Sequence, residues 1–141
     1  MSFDLSSFLP YQLAVASSRV SRAFAERYRS EFGLSIPEWR VLAHLDQAEA
    51  VSVREIQARV DMDKSKVSRA AARLEQAGLI EKRAHQGDGR LLAMHLTPAG
   101  QEMMTRLRPV AEAFQAELLE SLAEDAPAFR AALQRMIADK A

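Results

Sequence analysis

The sequence predicts a mainly α protein with a small β-hairpin. Through most of the chain, apolar residues recur at intervals of three and four, the period of a helix with one covered face. Between Leu79 and Leu96 the period drops to two, on either side of a turn that contains two glycines. Just before that hairpin, residues 64–77 separate at about 100° per residue into an apolar face and a cationic one.

Phe8 to Phe32 reads as a long helix with Pro10 in its first turn, where a missing amide costs nothing. Tyr11, Val15, Phe24, Tyr28 and Phe32 are among its apolar positions, and Gly33 stops it. Ser35 caps a second helix with Pro37 in its first turn, and Trp39, Leu42 and Leu45 follow at intervals of three. That helix ends near Gln47. Val51-Ser-Val is a short extended piece whose Ser52 caps a third helix carrying Val53, Ile56 and Val60 on one side. Asp61-Met-Asp makes the turn into the fourth.

In the fourth helix Val67, Ala70, Ala71, Leu74, Ala77 and Gly78 fall on one side. Ser65, Lys66, Ser68, Arg69, Ala72, Arg73 and Gln76 fall on the other. Asp63 is placed to cap the first turn and Gly78 to end the helix in a left-handed conformation. The expected length is about fourteen residues, roughly 21 Å. Glu75 is its only acid. A solvated surface helix usually mixes both signs of charge as ion pairs, whereas here one sign dominates, with short hydroxyls able to reach phosphates or base edges. Two short helices, a tight turn and a polar second helix make a helix-turn-helix.

Leu79 to Arg83 and Leu91 to Leu96 are the strands of the hairpin, the second alternating Leu92, Met94 and Leu96 against Leu91, Ala93 and His95. A hairpin directly after such a helix is a wing, and Arg90 near its tip supplies a cation for a minor groove. Thr97-Pro98 caps and opens the longest helix, with Met104, Leu107, Ala111, Phe114 and Leu118 forming a packing seam. Pro109 is expected to bend it or loosen its hydrogen bonds. Pro127 opens a last helix with Phe129, Leu133, Met136 and Ile137 on one side. The first and last helices hold more apolar surface than the lobe between them covers, which points to a second copy of the chain.

Composition narrows the function. The absence of cysteine excludes disulfides, thiol redox sensing and thiolate metal sites together. Net charge is zero, yet nine of the nineteen Lys/Arg and only six of the nineteen Asp/Glu lie between Val51 and Thr97, so the basic excess is local. No apolar run reaches the ~20 residues of a membrane span, and Met1 to Leu9 lacks the pattern of a secretory leader, so a soluble cytoplasmic protein is expected. His44, His85 and His95 lie on different elements without metal-ligand spacing, so each is a surface or packing residue and no metal site is expected. There is no Gly-rich phosphate loop, zinc motif or pair of nucleophile and base, which leaves no expectation of an enzyme or a cofactor.

Three strings then stand in order: Ser-Lys-Val-Ser-Arg at 65–69; Leu74-Glu75 followed by Gly78-Leu79-Ile80 and Lys82-Arg83; and Asp88-Gly-Arg90 continuing to Leu96-Thr97-Pro-Ala-Gly100. Each is weak alone. In this order and spacing the chain resembles the MarR family of bacterial transcription regulators over nearly its whole length. The resemblance implies a winged helix-turn-helix DNA-binding domain at 34–97 and a helical dimerisation region at 6–33 and 98–140. It implies an obligate homodimer on a pseudo-palindromic double-stranded DNA operator, with repression relieved by a small ligand, often an aromatic acid or a phenol. The candidate DNA-binding residues are Lys64, Ser65, Lys66, Ser68, Arg69 and Arg73 of the fourth helix and Asp88 and Arg90 of the wing. The oxidant-sensing branch works through cysteine and the zinc-sensing branch through clustered His and carboxylates, and this chain has neither.

Candidate ligand-binding residues are Trp39, Arg40 and His44 with Phe24 and Tyr28 of the first helix. Arg40 and His44 are four apart and share a face, so a guanidinium and an imidazole can approach one carboxylate while the aromatic rings wall the site. The alternative makes Trp39 a core residue, Arg40 an ion-pair partner of Glu38 or Glu26, and His44 an ordinary half-buried side chain. The rival function is a winged-helix module that binds protein without sequence-specific DNA binding. It predicts acids or large apolar groups on the exposed face of residues 64–77.

Overall fold

The computed structural model describes residues 2–47, 51–60, 62–85 and 88–138. After a 3-10 turn at Leu5–Ser7, the elements are α1 (Leu9–Phe32), α2 (Ile36–Gln47), β1 (Val51–Ser52), α3 (Val53–Val60), α4 (Lys64–Gln76), β2 (Ile80–His85), β3 (Asp88–Leu96), α5 (Pro98–Leu122) and α6 (Ala126–Ala138). The chain divides into two compact units, Met1–Leu107 and Arg108–Ala141.

The helix starts follow from local side-chain chemistry. Ser35 Oγ accepts the Glu38 N–H at 3.3 Å while a Glu38 carboxylate oxygen accepts the Ser35 N–H at 2.8 Å, a reciprocal box that satisfies two end amides of α2. Ser52 and Glu55 repeat it at α3, at 3.1 and 3.3 Å. Removing such a cap costs about 1 kcal/mol. Gly33, at φ 67°, ends α1 and donates to Arg29 O at 2.8 Å.

In the first unit the core is built where the helical period predicts it. Ala25, Tyr28 and Phe32 of α1 are buried, as are Val41, Leu42 and Leu45 of α2 and Ile56 of α3. Val67, Ala70, Ala71 and Leu74 of α4 join Ile80, Ala93 and Met94 of the sheet and Met104 and Leu107 of α5. Ala77, expected on the packing face, is instead exposed. It stands at the last residue before the left-handed turn at Gly78 (φ 77°), where the chain has left the helical register.

The sheet departs from the expected simple hairpin. Its order is β1-β3-β2, both pairs antiparallel, because Val51 and Ser52 pair with Met94 and Ala93. The wing strands are longer than predicted, closing with His85 opposite Asp88 and an irregularity between Ala84 and His85. Ala93 and Met94 are both buried, and consecutive strand residues point to opposite faces, so β3 is covered on both sides there. The alternation along β3 therefore does not separate a covered face from a wet one. Asp61, Gln86 and Gly87 lie outside the described residues, as do the side chains of Val53, Val60, His85, Asp88, Arg90, Leu91 and Leu92.

Both units leave apolar surface open. In the first, Phe3 and Phe8 stack edge to face at 5.2 Å beside exposed Leu5, Leu9 and Tyr11. In the second, α5 continues through Pro109 as one assigned helix, a 3-10 turn at Ala123–Asp125 follows, and Ala123 takes the left-handed φ of 52° before α6. No described residue of this unit is buried, and Phe129, Met136 and Ile137 are exposed, the last by 80%. Among the described residues no helix is long and apolar enough to cross a membrane.

Candidate nucleic-acid interface

Asp63 begins α4 from an extended conformation (φ −70°, ψ 155°), and its Oδ1 accepts the Lys66 N–H at 2.9 Å and the Ser65 hydroxyl at 2.7 Å. The Ser65 bond first, and then that amide, hold its carboxyl below the ordinary value. One side of the helix is closed: Val67 and Ala71 are fully buried, and Ala70 and Leu74 nearly so. With two alanines among them, α4 can lie close against α2 and α3. The opposite side is open, with Lys64, Ser65, Lys66, Ala72, Arg73, Gln76 and Arg69 exposed and Ser68 half-buried.

Among the described residues none of the cations Lys64, Lys66, Arg69 and Arg73 is paired with a carboxylate. The single acid of the helix is engaged elsewhere, since Lys82 Nζ of β2 lies 3.7 Å from Glu75 Oε1. Lys66, Arg69 and Arg73 line an open hollow of about 240 Å³ with Ala70 and with Pro37 from the start of α2. An unpaired cationic surface about 20 Å long, backed by a packed face, is what binding along a polyanion requires.

Behind α4 the wing is tied to the lobe. Leu79 N donates to Leu74 O and Gly78 N to Glu75 O, both at 3.0 Å, closing the helix end. Thr97 then holds the start of α5: its Oγ1 accepts the Gly100 N–H at 3.1 Å, as its position before Pro98 predicts. Arg83 pairs with Glu81 on β2. Arg90 is carried on β3, two residues past the residue that closes the hairpin.

A model of the MarR family matches residues 32–91, from the end of α1 into the second wing strand. That match takes in 60 of the chain's 141 residues. The chain is 26% identical over 106 residues to the uncharacterized HTH-type transcriptional regulator YdgJ of Bacillus subtilis. That stretch is 75% of the present chain and 65% of YdgJ, just under two thirds of its length. The HTH-type transcriptional repressor IacR of Pseudomonas putida is 28% identical over 114 residues, 80% of this chain and 68% of IacR. Among solved structures, a MarR family transcriptional regulator from Silicibacter pomeroyi DSS-3 has a TM-score of 0.81 at 28% identity, covering 96% of this chain and 97% of that one. All three are named as transcription regulators.

The predicted aromatic residues come together between α1 and α2. Phe24 meets Tyr28 at 4.9 Å and Trp39 at 5.1 Å, both edge to face, and Tyr28 lies 6.0 Å from Trp39. Tyr28 is fully buried, and its hydroxyl has no hydrogen-bond partner among the described residues. Burial, opposed by the nearby Arg29 and Arg40 charges, raises its pKa. Arg40 pairs with neither Glu38 nor Glu26: its Nη2 donates to Ser21 Oγ at 3.4 Å, while Glu38 is engaged in the α2 capping box. His44 is half-buried, and its pKa is lowered by desolvation and by the positive charge of Arg59. It therefore offers a hydrogen bond at neutral pH rather than a second charge. The Ser21 partner, the Lys82–Glu75 pair and the role of Pro37 in the hollow were not expected, because each joins residues of different elements that meet only once the chain has folded.

Proposed function

We propose that this protein is a regulator of the MarR family, a homodimeric repressor that lays α4 in the major groove of a pseudo-palindromic operator and the wing, through Arg90, in the adjacent minor groove. The observation that carries this reading is the outward face of α4, where Lys66, Arg69 and Arg73 are exposed and form no salt bridge among the described residues while Glu75 is drawn to Lys82. Arg69 and Arg73, one turn apart, make base or phosphate contacts, with Lys64, Ser65, Lys66 and Ser68 sharing them. Asp88 orders the wing tip beside Arg90. The rival, a protein-binding module, needs acids or large apolar groups on that face; the exposed side chains of α4 are cations, hydroxyls, alanine, glutamine and the one acid Glu75, which is paired with Lys82. Duplexes selected from random sequence by the protein, followed by affinity measured against salt concentration, test the reading. Binding that is indifferent to both sequence and salt would sink it.

The dimer is formed by the helical region at 6–33 and 98–140. In support, Phe8, Leu9 and Tyr11 are exposed in one unit and Phe129, Met136 and Ile137 in the other, more than a lone soluble chain ordinarily leaves open on so few residues. Repression is the role named for the related IacR.

Release is by a small aromatic acid or phenol held by Phe24, Tyr28, Trp39, Arg40 and His44. A buried hydroxyl without a partner costs about 1–3 kcal/mol, which a polar ligand atom would recover. Arg40 would meet the carboxylate and the three rings the aromatic body. The ligand must bind the free dimer better than the DNA-bound one, or it shifts nothing. Titration of hydroxybenzoates and cinnamates against the operator complex, with wild type, Arg40→Ala and Tyr28→Phe side by side, tests the site. Equal sensitivity in all three moves the site elsewhere, and no release by any aromatic acid removes the ligand class.

A further inference from the structure

Thr97 does more than cap α5. Its hydroxyl accepts the Gly100 N–H at 3.1 Å and also donates to Gly78 O at 2.6 Å, nineteen residues back in the chain. Its own N–H donates to Leu79 O at 3.1 Å. Gly78 O and Leu79 O belong to the peptide units on either side of Leu79, so both units that lead the chain out of α4 are fixed by one residue. Gly100 lets α5 come this close. A Cβ there would stand 2.1 Å from Leu79 O and 3.2 Å from the Leu96 Cδ2, so the first turn of α5 rests directly on that carbonyl.

Gly78 is the only residue between α4 and β2 with a positive φ, at 77°, and glycine has wide freedom in both dihedrals. Val67, Ala70, Ala71 and Leu74 seat α4 along its length, so a tie at this turn acts on the tilt that the seat leaves free. A tilt of about 10° at this end moves the far end of a thirteen-residue helix by about 3 Å. That exceeds the ~0.5 Å over which a hydrogen bond keeps its strength. Base contacts do not survive such a shift, whereas long cationic side chains follow a phosphate.

We propose that Thr97 is a positioning residue for DNA reading: by bridging the exit of α4 to the first turn of α5, it sets the tilt of the reading helix. The proposal rests on α4 being that helix. Three variants separate bridge from cap. Thr97→Ser keeps both hydroxyl bonds, Thr97→Asp keeps an acceptor for Gly100 but has no proton for Gly78 O, and Thr97→Val loses both. The readout is the ratio of affinity for a selected operator to that for an unrelated duplex at one salt concentration, which cancels the added charge of aspartate. Amide exchange at Gly78 and Leu79 in the free protein accompanies it. The bridge predicts a ratio within about twofold of wild type for serine and a fall of about tenfold or more for aspartate and valine, with faster exchange in those two alone. A cap alone predicts that aspartate matches wild type in both measurements, and that result overturns the proposal. If the valine chain does not fold, the aspartate chain decides. A wild-type chain with no preference for any duplex overturns the assignment of α4 itself, while wild-type preference retained by Thr97→Asp overturns only the bridge.

Discussion

Lys82 Nζ stands 3.7 Å from Glu75 Oε1, so the one acid of α4 is neutralised from the strand behind it. Both groups are partly exposed, and such a pair contributes no more than about 1 kcal/mol to stability. Its weight lies in the charge presented to DNA. Lys82→Ala should weaken binding to any duplex by roughly two- to fivefold, and Glu75→Gln should strengthen it by about twofold, with the preference between sequences unchanged. Filter binding or anisotropy on operator and unrelated duplexes checks this. A change confined to the operator would mean that Glu75 touches a base.

Arg69→Ala and Arg73→Ala separate two kinds of contact. An arginine bidentate to guanine carries about 1–3 kcal/mol of discrimination, and its loss relaxes the preference at one base pair. An arginine on phosphate weakens all sequences alike and reduces the salt slope by about one. Operator affinity left unchanged by both substitutions at moderate salt would remove α4 as the reading helix.

Arg90, carried beside the hairpin closure of His85 and Asp88, should contribute one contact near the minor groove. Arg90→Ala is expected to weaken operator binding and to lower the slope of log affinity against log salt by about 0.9. An unaltered slope and affinity would leave the wing as a solvated hairpin.

His44 gives a pH dependence with a definite sign. Desolvation, with the charge of Arg59, holds its folded pKa below the ordinary 6.5. The fold therefore favours the neutral ring, and the unfolded chain takes up the proton first as pH falls. The stability contributed is whole above 6.5 and is lost as pH falls through the lowered folded value. His44→Gln should flatten the decline of the thermal midpoint between about pH 7 and pH 5. An imidazole titration by NMR centred at or above 6.5 contradicts this.

The open apolar groups predict association. Sedimentation of the wild type at micromolar concentration should give a dimer, and Leu9→Asp or Ile137→Asp, both at exposed positions, should shift it toward monomer without loss of helix content. A wild-type monomer that still binds a palindromic site would refute the arrangement.

What could be read from the sequence was what local chemistry decides. Ser35, Ser52, Asp63 and Thr97 each cap the helix they precede, because the bond reaches only two or three residues ahead. Gly33 and Gly78 end helices for an equally local reason, a positive φ. The two faces of α4 were legible from period alone, except at Ala77 and Gly78, both exposed, where the exit turn overrides the period. Val51 and Ser52 were expected to be extended, but their place in the sheet was not, because it depends on Met94 and Ala93 some forty residues away. The aromatic group of Phe24, Tyr28 and Trp39 was expected as a set, whereas the Ser21 partner of Arg40 is fixed only once α1 and α2 pack.

The buried stripe of Val67, Ala70, Ala71 and Leu74 shares no residue with the exposed stripe of Lys64, Ser65, Lys66, Arg69 and Arg73. Substitutions on the outer stripe thus leave the interior packing untouched, and descendants of this sequence can drift toward new target sites one residue at a time without first acquiring spare stability. The inner stripe has the opposite fate. Its alanines are buried, and larger side chains at such positions ordinarily cost about 1–3 kcal/mol, so selection there is for size rather than for the sequence that is read.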